Sequence, residues 1–362
     1  MGHQLTTFSL LMIVFVNFDK SIAYFSPRTP PAYRHAVHEL LGVHEVDDPG
    51  IYLGVPLLIG KNKYATFGRF RDKVDTRVSS WANLLLSFSG REVLIKSVAQ
   101  ALPQYVMSCY LLPQSLVEEM SRAIRRFWWS GKGSARGWPF VAWSDLCSTK
   151  SVGGMGFKDL HLFNIALVVK QLWRLLSAPN SLLYRVLRAK YFPDGDLLHS
   201  SAPARASYAW KGFHQTLSHL GDGFFWTLGV DSNVRLFRDR WGGFSPVSLT
   251  DSSADIDEVP LRCRDFMLAG QALWDHSKLA AVLSPSDVDA ILDIPISPDR
   301  PDTLIWGDHD SGIYSIRSGY LYLQRPPTPP APPPIFGRFS RNSLPSRRCG
   351  PLVGAMAGKP SL

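Results

Sequence analysis

Apolar side chains recur at helical spacing between residues 65 and 128 of this chain. The first run follows a 3.6-residue repeat and consists of Phe67, Phe70, Val74, Val78 and Trp81. Side chains at this spacing share one face of a helix, while the polar residues between them occupy the other faces. The pattern therefore predicts an amphipathic helix that ends near Trp81.

Two further helices are predicted by the capping-box pattern, in which Glu follows Ser at the third position after it. The pattern occurs at Ser89 with Glu92 and at Ser115 with Glu118. Pro103 lacks a backbone donor, so we expect it to kink or end the first of these helices. The buried stripe of the second helix would be Val117, Met120, Ile124, Phe127 and Trp128. Helices of this kind would form a small bundle with a basic exterior.

Helical spacing continues after a connection rich in Gly, Ser and Trp that ends in Gly153-Gly154-Met155-Gly156-Phe157. Asp159 is a favourable cap for a helix that runs to about Leu176. Ala178-Pro179-Asn180 interrupts this helix, and a shorter one follows as far as Tyr191. We expect the two helices to pack as a helical hairpin.

The spacing changes to that of β-strands after Gly221. Phe224–Leu228 and Val234–Phe237 flank a Gly-Val-Asp-Ser-Asn turn, which predicts a β-hairpin. Gly312–Ile316 is a further strand-like segment ahead of a helical end. The predicted fold class is therefore mainly α with a smaller α+β part.

Composition adds a charge asymmetry to this picture. The chain is 45% hydrophobic with 11 Trp among 362 residues, which is enough to fill real cores. Residues 61–140 hold 13 Lys and Arg against 5 Asp and Glu, whereas residues 221–310 hold 16 acidic and 7 basic groups. A concentrated basic stretch suits a phosphate backbone, although solubility alone gives the same sign in many proteins. Charge alone leaves both interpretations open.

Asp47 and Asp48 are the adjacent carboxylates that a two-metal polymerase site would use to hold Mg²⁺. They are followed by Pro49 and Gly50, which favour a turn and do not suit a strand of a catalytic hairpin. We therefore interpret the pair as part of a solvated turn.

Other catalytic or metal-binding patterns are incomplete. His35 and His38 form an i, i+3 pair that could chelate a metal, with His44 and Glu45 close by in sequence. No third ligand follows this pair at a familiar spacing. Gly133–Gly137 does not have the spacing of a nucleophile elbow, and no phosphate-binding glycine loop occurs. The cysteines are scattered as Cys109, Cys147, Cys263 and Cys349, which is typical of reduced structural thiols. We expect no catalytic residue, no metal and no cofactor.

The two ends of the chain differ from its middle. Phe8–Phe18 is apolar, but it lacks a basic leader and is well under the roughly 20 residues that span a bilayer. We therefore expect no membrane partner and favour cytoplasm or nucleus over secretion. Pro326–Pro334 is so rich in Pro that we expect residues 326–362 to be extended and disordered. Such a tail suits partners of SH3 or WW type.

The order of several motifs resembles the post-palm region of the reverse transcriptases of plant LINE-type (non-LTR) retrotransposons. The resemblance begins at Phe25–Pro31 and Val46–Pro56 and continues through Gly90–Lys96. It extends through Ala99–Pro103, Phe127–Trp129, Gly153–Phe157, Asn164–Leu167, Trp173–Leu176, Ala189–Pro193 and Ser207–Trp210. Ile305–Trp306 together with Gly312–Tyr320 resembles the opening of the reverse-transcriptase zinc-binding domain in that family.

The resemblance implies an order of domains. The expected segments are an unrelated apolar leader at 1–20, a post-palm segment at 21–60, a thumb-like helical bundle at 61–128, a connecting helical region at 129–215, a β-hairpin with a truncated zinc-binding-domain start at 221–325, and the disordered Pro-rich tail at 326–362. In the family the polymerase carboxylates lie upstream of these motifs, and the zinc ligands follow the Ser-Gly-Tyr helix. We therefore expect a noncatalytic fragment.

A reverse-transcriptase thumb grips the primer–template duplex, so the resemblance implies that residues 61–128 contact RNA or an RNA–DNA duplex. The candidate contacts, chosen by charge and position, are Lys61, Lys63, Arg69, Arg71, Lys73, Arg77, Arg91, Lys96, Arg122, Arg125 and Arg126. Two alternatives stay open. One alternative is a protein-interaction module that uses exposed helices and the Pro-rich tail. The other is an accessory piece of a reverse transcriptase that another chain completes.

Overall fold

The computed structural model describes residues 17–82, 84, 86–130, 139–243 and 262–325. Within them the chain is mainly α with a smaller α+β part, as the apolar spacing predicts. It divides into two compact units. The first unit comprises the described residues within Met1–Val106 and Leu112–Leu160, and the second comprises those within Met107–Leu111 and His161–Leu362. None of the described helices is both long enough and apolar enough to span a membrane.

Some expectations concern residues outside these ranges. They are the apolar leader as far as residue 16, the glycines at 133 and 137, and the Pro-rich tail.

The first unit consists of short strands followed by helices. Its elements are β1 (Ile22–Ala23), α1 (Pro31–Leu41), β2 (His44–Glu45), β3 (Ile51–Tyr52), β4 (Val55–Pro56), α2 (Lys63–Ala82), α3 (Phe88–Leu94), a π-helical turn (Ile95–Ala99), the start of α4 (Gln104–Cys109), α5 (Gln114–Ser130) and α6 (Trp143–Cys147). β1 pairs with β2 in parallel, and β3 with β4 antiparallel.

The core of this unit lies between α2 and α5. Phe67 and Val74 of α2 and Met120 and Ile124 of α5 are completely buried. All four belong to the stripes that the helical spacing identified. α2 ends one residue after Trp81, which confirms the predicted end of that helix.

Both predicted capping serines were wrong by one or two residues. α3 begins at Phe88, and Ser87 rather than Ser89 is its cap, with Ser87 Oγ accepting a hydrogen bond from the Gly90 amide at 3.2 Å. α5 begins at Gln114, so that Ser115 already lies inside the helix. For α3, the second Ser two residues before the box gives the sequence pattern more than one possible register.

The glycines at 153–156 make a tight turn that supports the core. Gly153 and Gly156 have φ of +90° and +67°, in the left-handed region that favours glycine. Gly154 has an ordinary φ, but a Cβ atom there would lie 2.1 Å from the Ser148 carbonyl oxygen. The turn brings Phe157 into contact with Trp143, whose ring stacks on it at a centroid distance of 5.4 Å.

The second unit combines helices with one small sheet. Its elements are α7 (Leu160–Ser177), whose first residue belongs to the first unit, α8 (Leu182–Tyr191), α9 (Tyr208–Leu220), β5 (Phe224–Gly229), α10 (His276–Ala280), α11 (Pro285–Leu292), β6 (Ile296–Ser297), β7 (Thr303–Trp306) and α12 (Ile316–Leu323). The predicted bounds of α7 and α8 are confirmed to within a residue. Tyr184 and Leu187 of α8 pack on a core cluster to which α7 contributes Leu172 and Trp173.

The predicted β-hairpin after Gly221 was wrong. The sheet has the order β6-β5-β7, and β5 pairs antiparallel with β7, for example Phe224 with Trp306. After β5 the chain turns away because the Asp302 carboxylate accepts hydrogen bonds from the amides of Gly229 and Asn233, at 3.0 and 2.8 Å. Val234–Phe237 is therefore not a strand.

Gly312–Ile316, which was expected to form a strand, does not form one. The strand in this part of the chain is β7, which ends at Trp306. Gly312 has a φ of +66° and its carbonyl accepts from the Trp306 amide at 2.9 Å, so this segment folds back onto the end of β7 as a loop. The helical end after it is confirmed as α12.

Candidate nucleic-acid interface

One flank of α2 is neutralised by its contact with α5. Glu119 Oε2 accepts a hydrogen bond from the Tyr64 hydroxyl at 2.6 Å and another from Arg71 Nη1 at 3.1 Å. Arg71 Nη2 also pairs with Asp72 at 2.7 Å. These hydrogen bonds, first that from Tyr64 and then that from Arg71, hold the pKa of Glu119 below its usual value. Arg71 is therefore committed to the helix contact.

Arg126 lies on the same side of the helix pair. Its Nη2 atom is 3.4 Å from Asp75 Oδ1, and both side chains are largely exposed. An exposed ion pair of this length contributes little to stability. The nearby carboxylates nevertheless make this flank of α2 a poor surface for a phosphate chain.

The other flank of α2 carries a basic row, which we define as Arg69, Lys73 and Arg77. Residues four apart lie one above another on a helix, so these three form a line about 12 Å long. Lys73 and Arg77 are exposed, and neither forms an ion pair with any described residue. Arg69 is half-buried and donates to the Gly54 carbonyl in the turn between β3 and β4. The row is thus fixed at one end and open along the rest.

The aromatic ring of Phe70 contacts two cations of the basic row. The guanidinium of Arg69 lies 4.9 Å from the ring centroid and the Lys73 ammonium 5.8 Å from it. Phe70 is itself buried. Cation–π contacts of this kind orient the two cations without neutralising them.

The remaining candidates lie near the start of α2 and on α5. Lys61 is exposed just before α2, and the Lys63 ammonium donates to the Gly60 carbonyl. Arg122 and Arg125 are exposed on α5 and form no ion pair within the described part of the chain. Helical geometry places both on the outer side of α5, since the intervening Ala123 and Ile124 are buried. Arg122 lies one turn from Glu119 and also helps to lower the pKa of that carboxyl.

Arg91 and Lys96 do not belong to this surface. Arg91 is only 9% exposed, and its guanidinium donates to the carbonyl oxygens of Trp128 and Leu86 at 3.0 and 3.1 Å. Lys96 Nζ donates to Glu92 at 2.7 Å and to the Met155 carbonyl at 2.6 Å. Both cations hold the first unit together. A charge count along the sequence cannot distinguish them from exposed cations.

The Asp47-Asp48 pair lies in a turn, as interpreted from the sequence. Asp48 Oδ1 accepts from the Gly50 amide at 2.9 Å, and both carboxylates are accessible to solvent. Among the described residues, no group of three or more His, Cys, Asp or Glu side chains is arranged to hold a metal ion. His38 Nδ1 is instead 2.9 Å from the Val43 carbonyl.

The contact of Tyr64 with Glu119 was missed in the sequence. The indication available was that Tyr64 and Arg71 are seven residues apart and therefore share a helix face. Which carboxylate they meet depends on how α2 packs on α5, and the local pattern does not contain that information.

Comparison with known proteins gives two relatives from Arabidopsis thaliana, whereas no family model matches the chain. It is 30% identical to the Putative ribonuclease H protein At1g65750 over 282 residues, a match that covers 74% of this chain but only 44% of that protein. It is 39% identical over 142 residues to the Uncharacterized mitochondrial protein AtMg00310, covering 39% of this chain and 92% of that protein. Since nearly all of the latter is matched, the chain belongs to the same protein family as the mitochondrial protein AtMg00310.

Proposed function

We propose that this chain is a noncatalytic segment of a retrotransposon reverse transcriptase, whose first unit binds the phosphate backbone of RNA or of an RNA–DNA duplex. The motif order described above supports the reverse-transcriptase origin. The two relatives are compatible with a family derived from retrotransposons, and one of them is named a ribonuclease H protein. The contact residues are proposed from the geometry of the first unit.

The observation that carries the binding proposal is the basic row of α2. It presents cations over about 12 Å, which is the rise of three to four nucleotides in one strand. The opposite flank of α2 is already neutralised by Glu119 and Asp75. A phosphate chain would therefore run along the row, with Lys61 at one end. Arg122 and Arg125 would form a second, separate group of contacts.

Backbone contacts of this kind do not read base sequence. The affinity would instead depend on the number of neutralised phosphates. It would fall as the salt concentration rises, because the release of counterions from the nucleic acid then contributes less free energy to binding. We propose that this segment contributes binding rather than chemistry, and we expect no primer extension by the chain alone with Mg²⁺. Extension by the purified chain would contradict the noncatalytic part of the proposal and leave the binding part untouched.

The binding part is tested by anisotropy of a labelled RNA–DNA hybrid of about 20 base pairs, measured with the full chain across a salt series. The variants are Lys73→Glu with Arg77→Glu, and Arg122→Glu with Arg125→Glu. Arg300→Glu with Arg317→Glu is the matched control, because both are exposed on the second unit and the change in net charge is the same.

We expect the Lys73/Arg77 variant to lower the slope of log K against log salt by about 2, whereas the control keeps the wild-type slope. A smaller loss is expected from the Arg122/Arg125 variant. If the control weakens binding as much as the Lys73/Arg77 variant does, net charge rather than the row explains the affinity, and the proposed interface is wrong.

A further inference from the structure

The surface helix α8 in the second unit exposes apolar side chains that do not belong to the core clusters of that unit. Leu182, Leu183 and Val186 are 74%, 50% and 56% exposed. Leu182, Val186 and Lys190 follow at four-residue intervals, so they form a single ridge along the helix. We call Leu182, Leu183, Val186 and Lys190 the α8 ridge.

The α8 ridge is held rigidly by the opposite face of the same helix. Tyr184, Leu187 and Tyr191 pack on the core cluster of the unit. The Tyr191 ring stacks on Trp210 at a centroid distance of 4.5 Å, and its hydroxyl accepts a hydrogen bond from the Ser207 amide at 2.9 Å. The exposed ridge is therefore a preformed surface and needs little ordering to receive a partner.

Charge restricts the partner that this surface can accept. α8 contains Arg185, Arg188 and Lys190 and no carboxylate. Arg188 braces the following loop through Nε and the Pro193 carbonyl at 3.5 Å, whereas Arg185 and Lys190 flank the apolar positions. A matching surface must offer aliphatic groups at its centre and anions at its edges.

We propose that the α8 ridge is a docking site for an acidic amphipathic helix of a protein partner. Such a helix covers Leu182 and Val186 with its apolar stripe and places carboxylates beside Arg185 and Lys190. This proposal concerns the second unit and is independent of the basic row on α2.

Other occupants fit the α8 ridge less well. Nucleic acid would satisfy the cations but leave the aliphatic side chains in water, because the two tyrosine rings that could stack on bases face the core. A second copy of the same ridge would bring Arg185 and Lys190 against like charges. An acidic helix meets both the apolar and the electrostatic requirement.

The test uses the full chain and a fluorescent helical peptide of about 14 residues, in which Leu at i, i+3, i+4 and i+7 forms one stripe and Glu flanks it. A scrambled peptide of the same composition is the ligand control. The variants are Leu183→Gln with Val186→Gln, and Arg185→Glu with Lys190→Glu; Arg300→Glu with Arg317→Glu is the protein control. All of these side chains are exposed, and circular dichroism verifies that each variant is folded.

We expect the helical peptide to bind more tightly than the scramble, and each α8 variant to weaken that binding by about tenfold while the control does not. Equal binding by the α8 variants and the wild type, or no peptide binding at low salt, would overturn the proposal. The proposal would also be wrong if the chain forms a concentration-dependent dimer in sedimentation that Leu183→Gln with Val186→Gln abolishes. It would be wrong too if the chain binds RNA or anionic vesicles but not the peptide, and both α8 variants weaken that binding equally.

Discussion

Tyr64 donates its phenolic hydrogen to Glu119 across the contact between α2 and α5, with 2.6 Å between the two oxygens. This bond raises the pKa of the Tyr64 hydroxyl and lowers the pKa of the Glu119 carboxyl, so both groups keep the protonation states that the bond requires. Arg71 joins them as a second donor. The contact fixes which flank of α2 faces α5, and hence which flank carries the open basic row.

The charge on Glu119 should stabilise the first unit in a pH-dependent way. A carboxyl whose pKa is lowered on folding contributes stability above its ordinary value of 4.5, and that contribution disappears as the pH falls through the folded value. We expect Glu119→Gln to lower the free energy of unfolding near neutral pH, and the difference from wild type to shrink as the pH falls below that ordinary value and through the folded one. Urea unfolding at several pH values measures this.

Glu118→Gln is the control for this prediction. Glu118 is exposed beside Glu119 and accepts only from Gln114 Nε2 at 2.9 Å among the described residues. Its replacement should leave the free energy of unfolding near neutral pH close to that of the wild type, because Glu118 takes no part in the contact with Tyr64 and Arg71. A pH-independent difference for Glu119→Gln would mean that packing, rather than the carboxylate charge, stabilises the contact.

Arg91 should behave as a structural residue. Its guanidinium satisfies two carbonyl groups in different segments, Leu86 before α3 and Trp128 in α5. We expect Arg91→Ala to lower the free energy of unfolding by roughly 2–4 kcal/mol, because both acceptors lose a charged donor. Arg91→Lys should recover only part, since an ammonium does not reproduce the planar fork. Unchanged urea stability of Arg91→Ala would contradict this role.

The sequence predicts the helices of this protein better than its sheet, for a physical reason. Helices such as α2 and α8 depend on hydrogen bonds and apolar spacing within one segment, which a local pattern records. β5 instead pairs with β7, so that Phe224 meets Trp306 across more than 70 residues of chain. No local pattern around Phe224 specifies that partner.

The candidate interface was predictable only in part for the same reason. The helical repeat is sufficient to place Lys73 and Arg77 on one exposed flank. It does not show that Arg91 turns inward to the Trp128 carbonyl or that Lys96 reaches the Met155 carbonyl. Those acceptors come from distant segments, and only the packed structure brings them within reach.

Gly154 should tolerate no side chain. A Cβ atom there would lie 2.1 Å from the carbonyl oxygen of Ser148, and this neighbour is backbone that cannot rotate away. We expect Gly154→Ala to destabilise the first unit by at least about 2 kcal/mol in urea unfolding. Gly68→Ala is the matched control, because it lies in α2 with no atom within 4 Å of its Cβ position. It should stabilise the unit by about 1 kcal/mol, and a similar loss in both variants would sink the steric explanation.

The cysteines should report on the integrity of each unit. Burial raises the pKa of Cys147 in the first unit to about 12, and burial likewise raises the pKa of Cys263 in the second. Near pH 8 both groups are almost entirely thiol and shielded, whereas Cys109 is partly exposed. We expect a maleimide to label Cys109 much faster than Cys147 or Cys263 in the native protein, with mass mapping of peptides identifying each site.

In strong denaturant the three labelling rates should converge, because the difference comes from burial and not from local sequence. Rapid native labelling of Cys263 would show that the core around Val234 and Trp241 opens readily, contrary to its burial in the folded unit.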